Sequence, residues 1–171
     1  MELLIPGLIL VALMAYASTR IKRSAAEAFD AETVETDEFV VQKPAGFLNV
    51  LNRDPQFAFE AYSKDFGVRE EKDIRAATAH LRTYEGQSVD DRLQEIKSSK
   101  TEITEELNEV INDIRYHVME GSRTKGESTY RIWYKLAARD NKVYELEVAA
   151  LALPAETMQN AEAMFDSFQL K

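Results

Sequence analysis

The chain has 171 residues, a net charge of −9 at pH 7 and no cysteine. That length supports one domain with a proper core, and the missing thiols exclude disulfides, thiolate metal sites and cysteine nucleophiles. Residues 24–171 carry 18 basic against 29 acidic side chains, and a domain so acidic is repelled by phosphate backbones, so no nucleic-acid partner is expected.

The opening stretch differs in kind from the rest. Residues 3–19 carry no charge, and Arg20, Lys22 and Arg23 follow at once. Seventeen residues make a helix of about 26 Å, close to the ~30 Å hydrocarbon core of a bilayer. Extension through Ile21, with Arg20 and Lys22 snorkelling, closes the gap. Ala15-Tyr16-Ala17 resembles a signal-peptidase site, yet Met1-Glu2 offers no basic n-region and the basic cluster lies on the far side of the apolar run. The segment 1–23 is therefore read as a retained, single-pass transmembrane anchor that makes the lipid bilayer its first partner. Its flank of Arg20, Lys22 and Arg23 places the following domain on the cytoplasmic side of a membrane, expected to be a bacterial inner membrane.

Residues 24–38 read as an acidic tether, since Asp30, Glu32, Glu35, Asp37 and Glu38 fall within nine positions with no basic residue. A soluble domain is expected over 39–171. It begins with a strand at 39–42, a turn at Pro44-Ala45-Gly46 and strands at 56–66 and 74–84, the second placing Phe57, Phe59 and Ala61 on one face and the third Ala77, Ala79 and Leu81. Residues 67–72 read as a charged connector. Val89, Leu93, Ile96, Ile103, Leu107, Val110 and Ile114 then recur at steps of three, four and seven, which predicts helices over 88–98 and 101–112, with Ser88 and Asp91 as an amino-terminal cap.

Strands are expected again at 114–120, 129–139 and 142–151, with a polar loop at 121–128. For the last pair, a two-residue turn at Asp140-Asn141 would set Leu136 opposite Glu145, burying a carboxylate or exposing a leucine. An odd, bulged loop is predicted instead, pairing Arg131 and Lys135 with Glu145 and Glu147. After Pro154, Met158, Ala161, Phe165 and Phe168 mark a closing helix.

A strand running into Pro44-Ala45-Gly46-Phe47, a helical middle, and a last hairpin through Lys142-Val143-Tyr144-Glu145-Leu146 followed by a helix with Asp166-Ser167-Phe168 together resemble the PsbP-like superfamily. This superfamily includes the photosystem II extrinsic subunit and a Ran-binding import factor. Over residues 39–170 the resemblance implies an α+β fold, an antiparallel sheet of about six strands sandwiched by helices, and an accessory, partner-binding role.

The residues themselves point to no reaction. His80 and His117 stand alone on separate strands, without a neighbour at metal-ligand spacing, and Glu70-Glu71 and Asp90-Asp91 sit in polar segments where solvation accounts for them. No glycine-rich phosphate loop or nucleophile elbow occurs. No catalytic residue, metal site or cofactor is expected. Trp133, between Arg131 and Lys135, is the candidate anchor for a partner, with packing beneath a helix as its alternative. The expected function is that of a non-enzymatic, membrane-anchored accessory subunit of an integral membrane protein complex, with homo-oligomerisation open. The competing expectation is a small-ligand or metal-binding domain, or an enzyme, using a pocket between sheet and helices.

Overall fold

The computed structural model describes residues 4–67 and 74–171, and of these the side chains at 4–10, 12 and 23–25 lie outside the description. The charged connector, with Glu70-Glu71, and the Arg23 side chain therefore fall outside the described residues.

Helix α1 spans Leu4–Glu27. Its described apolar side chains Val11, Leu13, Met14, Tyr16 and Ile21 are each more than half exposed, and at 100° per residue they are spread right round the helix. Among the described residues, no helix is long and apolar enough to cross a membrane.

The acidic segment after α1 is not an open tether. Glu32–Glu35 forms strand β1, antiparallel to β2 (Phe39–Lys43), with Thr33 opposite Gln42 and Val34 opposite Val41. The reason is local: Val34 packs against the core between the exposed Thr33 and Glu35, and the Thr36 hydroxyl accepts from the Phe39 amide at 3.0 Å to shape the turn. Lys43 is buried and ties the junction, its ammonium donating to the carbonyls of Phe47 at 2.8 Å, Ala28 at 3.5 Å and Asp30. Burial pushes its pKa down, against the pull of Glu32 and Asp30. The chain end, β10 (Gln169–Leu170), pairs with the other side of β2, making a three-stranded sheet in the order β1-β2-β10.

The main sheet has seven strands among the described residues, all antiparallel to their neighbours, rather than about six. They are β3 (Phe47–Asn49), β4 (Phe57–Ser63), β5 (Ala77–Glu85), β6 (Glu102–Ile111), β7 (Ile114–Lys125), β8 (Ser128–Arg139) and β9 (Lys142–Leu151), in the order β3-β4-β5-β9-β8-β7-β6. Helix α2 (Val89–Lys97) packs on one face through Ile96. Helix α3 (Ala155–Ser167) and the small sheet cover the other face, where Ala161, Met164 and Phe165 meet Ala79, Leu81, Trp133, Leu146 and Val148. Ser88 caps α2 as its sequence predicts, accepting from the Asp91 amide at 3.1 Å while its own amide donates to the Asp91 carboxylate.

Two sequence expectations fail here. Residues 101–112 are not helical but form edge strand β6, joined to β7 by Asn112-Asp113, whose φ angles of 52° and 64° suit a two-residue hairpin turn. At an edge, Leu107 and Val110 stay exposed, so their helix-like spacing marks no buried face, and tertiary pairing overrides the helix preference of the glutamates. Likewise 121–128 is not a loop, because β7 continues to Lys125. Gly121 makes this possible: it faces Ile103 where the β6 register shifts, and a Cβ there would lie 2.3 Å from the Glu102 carbonyl oxygen.

The β8–β9 hairpin is the third correction. Its turn has two residues, Asp140 and Asn141, with φ of 50° and 63°, and Leu136 pairs directly with Glu145. Leu136 is 0% and Glu145 2% exposed. The odd loop was expected because one face had to be wet, whereas both faces of this part of the sheet are covered.

Candidate functional site

The even register brings charge onto the face that carries α2. Across β7, β8, β9 and β5, three rows line up: Gly121, Ile132, Ala149 and Thr78; Met119, Tyr134, Glu147 and His80; His117, Leu136, Glu145 and Arg82. The second and third rows carry polar residues on both β9 and β5, whereas the first is apolar up to Thr78 on β5.

Glu145 survives burial because α2 brings it a partner. Arg92 donates to it from Nε at 2.9 Å and from Nη2 at 2.8 Å, and Arg82 approaches at 3.5 Å. Burial still pushes the Glu145 carboxyl above its ordinary range, with Arg92 and Arg82 opposing. Arg92 is held in turn by the Tyr84 ring, 3.9 Å from its guanidinium carbon, and by Glu95.

Glu147 has looser company, Arg123 at 3.4 Å and Arg82 at 3.7 Å. Arg123 spends its better bonds on neutral hydroxyls, Thr101 at 3.0 Å and Tyr134. His80 lies beside Glu147, with Nε2 3.9 Å from Glu60 and Nδ1 buried without a hydrogen-bond partner. Burial pushes its pKa down, Glu147 and Glu60 pull it up, and Arg82 lowers it further.

Two cavities share Arg123 and Glu147 as a common wall. One of about 310 Å³ lies under α2 between Arg82, Arg92 and Tyr134, and one of about 370 Å³ lies over Thr78, Ile132 and Ala149. The arrangement can hold and orient an anion.

The candidate partner anchor lies on the opposite face. Trp133 is 3% exposed and packs against Phe165 of α3, ring centroids 6.4 Å apart, so in this arrangement its ring is taken up by the protein's own helix. Arg131 stacks on that ring at 4.9 Å and holds Glu120 at 2.7 and 2.8 Å, and Lys135 is buried on Glu109 at 2.7 Å. Neither reaches Glu145 or Glu147, the partners an odd loop would have supplied. His80 and His117 share the α2 face, but three strand spacings separate them, roughly 14 Å. Among the described residues no cluster of three or more ligating side chains could hold a metal ion. Arg20 and Lys22 are exposed on the last third of α1.

The sequence reading missed Arg82, Arg92 and Arg123. The available signal was Glu145 itself, since a carboxylate on a strand buried on both faces requires a cation from another element. The odd-loop expectation removed that requirement and hid the cluster.

No family model matches the chain, and no curated protein matches it. Solved structures do. The cyanobacterial PsbP (CyanoP) of Synechocystis sp. PCC 6803 is 10% identical with a TM-score of 0.56, covering 84% of this chain and 94% of that one. LpqN, involved in cell envelope biogenesis of Mycobacterium tuberculosis, is 14% identical with a TM-score of 0.54, covering 83% and 91%. At such identities the likeness is one of fold, and the fold is PsbP-like.

Proposed function

We propose that this protein is a membrane-anchored, non-enzymatic accessory subunit that binds a larger membrane protein complex through its PsbP-like domain. One observation carries the reading: α1 has apolar side chains exposed all round its circumference. A helix of that kind belongs in a core or in lipid, and the domain leaves these side chains uncovered. Its uncharged run is about 26 Å long, short of the ~30 Å hydrocarbon layer, so the reading has Arg20 and Lys22 snorkel to the interface. On this reading Arg20, Lys22 and Arg23 flank the span on the domain side, and by the positive-inside rule the domain faces the cytoplasm.

Purification of the full-length protein from detergent-solubilised membranes tests this. Association with a stoichiometric integral membrane partner, lost when residues 1–23 are deleted, is the expected result; recovery of the protein alone or only with itself defeats the accessory reading. Protease protection in intact cells checks the orientation, the domain being spared. A second reading, small-ligand binding, is favoured by the paired cavities on the α2 face.

A further inference from the structure

We propose that the cleft over Thr78, Ile132 and Ala149 is a binding site for a small organic carboxylate with an apolar body. The first ground is an inversion of charge. The protein as a whole carries −9, yet among the described residues this cleft is lined by Arg75, Arg123 and Lys125 against one carboxylate, Glu147. A local positive field inside an acidic protein concentrates anions where they are otherwise repelled.

The second ground is the state of the cations. Arg123 is held by Thr101 and Tyr134 through Nε and Nη2, which fixes the guanidinium plane, while its remaining nitrogen, Nη1, reaches Glu147 only at 3.4 Å. A planar donor already immobilised largely by neutral partners, and only loosely paired with one carboxylate, loses little further freedom on binding a second. Lys125, two residues along the same strand and exposed, has no ion pair among the described residues. A carboxylate head between Arg123 and Lys125 competes with Glu147 for Nη1, a contact that is long at 3.4 Å, and among the described lining residues the cations outnumber that one carboxylate.

The third ground is shape. Next to Arg123 in the register stands Tyr130, and the following row offers Ile132, then the short side chains of Ala149 and Thr78. That row forms a furrow of largely apolar floor leading away from the cations. Its volume of about 370 Å³ is that of a site for a compact ligand, an aromatic or short branched acid rather than a nucleotide.

The test uses the full-length protein in detergent micelles with 4-fluorobenzoate as probe, followed by fluorine NMR against protein-free micelles. Saturable line broadening, reversed by unlabelled benzoate and not shown by neutral 4-fluorobenzamide, is expected. Arg123→Gln should weaken binding about tenfold, as loss of one charge-assisted contact does. Thr78→Phe, which fills the furrow while favouring a strand, should abolish it. Arg115→Gln, on β7 at an exposed position outside the cleft, should leave it unchanged. Lys125→Gln, on an exposed side chain, gives a several-fold loss and carries the test if Arg123→Gln does not fold. Equal binding of the amide, indifference to both Thr78→Phe and the cation variants, or no saturable broadening overturns the proposal. It stands or falls apart from the membrane reading, because the site lies wholly within the domain.

Discussion

Leu136 and Glu145 face each other across β8 and β9, an aliphatic and a carboxylate paired on one buried face. The pair is tolerated because Arg92 reaches down from α2 with two hydrogen bonds to the carboxylate. Arg92→Ala leaves Glu145 with only the distant Arg82 and should cost about 3 kcal/mol. The double variant Arg92→Met, Glu145→Leu should recover most of that loss, since apolar replacement of a buried pair is often neutral. Urea denaturation of both variants checks the contrast; an Arg92→Ala protein of unchanged stability would show the pair to be incidental.

His80 makes stability depend on pH. Burial holds its pKa below the ordinary value, with Glu147 and Glu60 opposing and Arg82 assisting. The unfolded chain therefore takes up a proton first as pH falls. The stabilisation is present above the unfolded value of about 6.5 and is lost as pH falls through it toward the folded value, with a slope of at most about 1.4 kcal/mol per pH unit. His80→Gln should flatten this limb. Denaturation midpoints across the acid range measure it, and an equal slope in the variant would exclude His80 as the source.

Gly121→Ala should separate the edge strand from the sheet. The new methyl group meets the Glu102 carbonyl carbon at 3.0 Å and its oxygen at 2.3 Å, and backbone cannot step aside as a side chain tip can. A loss of about 2 kcal/mol is expected, of the size of other overpacking changes. Amide exchange should accelerate over 102–111 before it does in β8 and β9.

Trp133→Ala should open a cavity under α3 and cost about 3 kcal/mol, and Trp133→Phe distinctly less. Because the ring lies inside the domain, Trp133→Phe should retain whatever partner co-purifies with the full-length protein. Loss of the partner with an unchanged melting temperature would place the tryptophan at an interface after all.

What could be read from the sequence follows from where burial is one-sided. Strands β4 and β5 alternate because their inner faces meet α3, and α2 carries its cap in plain view at Ser88 and Asp91. Strands β8 and β9 were placed correctly, but their register was not, since Glu145 looks like a solvent residue until α2 is folded onto it. β6 misled for the opposite reason: its Leu107 and Val110 are exposed edge residues whose spacing matches a helix by accident. The site was illegible because it assembles from β5, α2, β7 and β9, four elements spread over 66 positions from Arg82 to Glu147. No local spacing joins them.

Lys43 has a last consequence. One ammonium holds the carbonyls of Ala28 and Asp30, just past the end of α1, and that of Phe47 at the start of β3, so helix and sheet are joined with almost no slack. A change of direction at the end of α1 would have to break or carry with it these bonds. On the membrane reading proposed above, the direction in which the face beneath α2 looks would then depend on how the apolar sides of α1 are held.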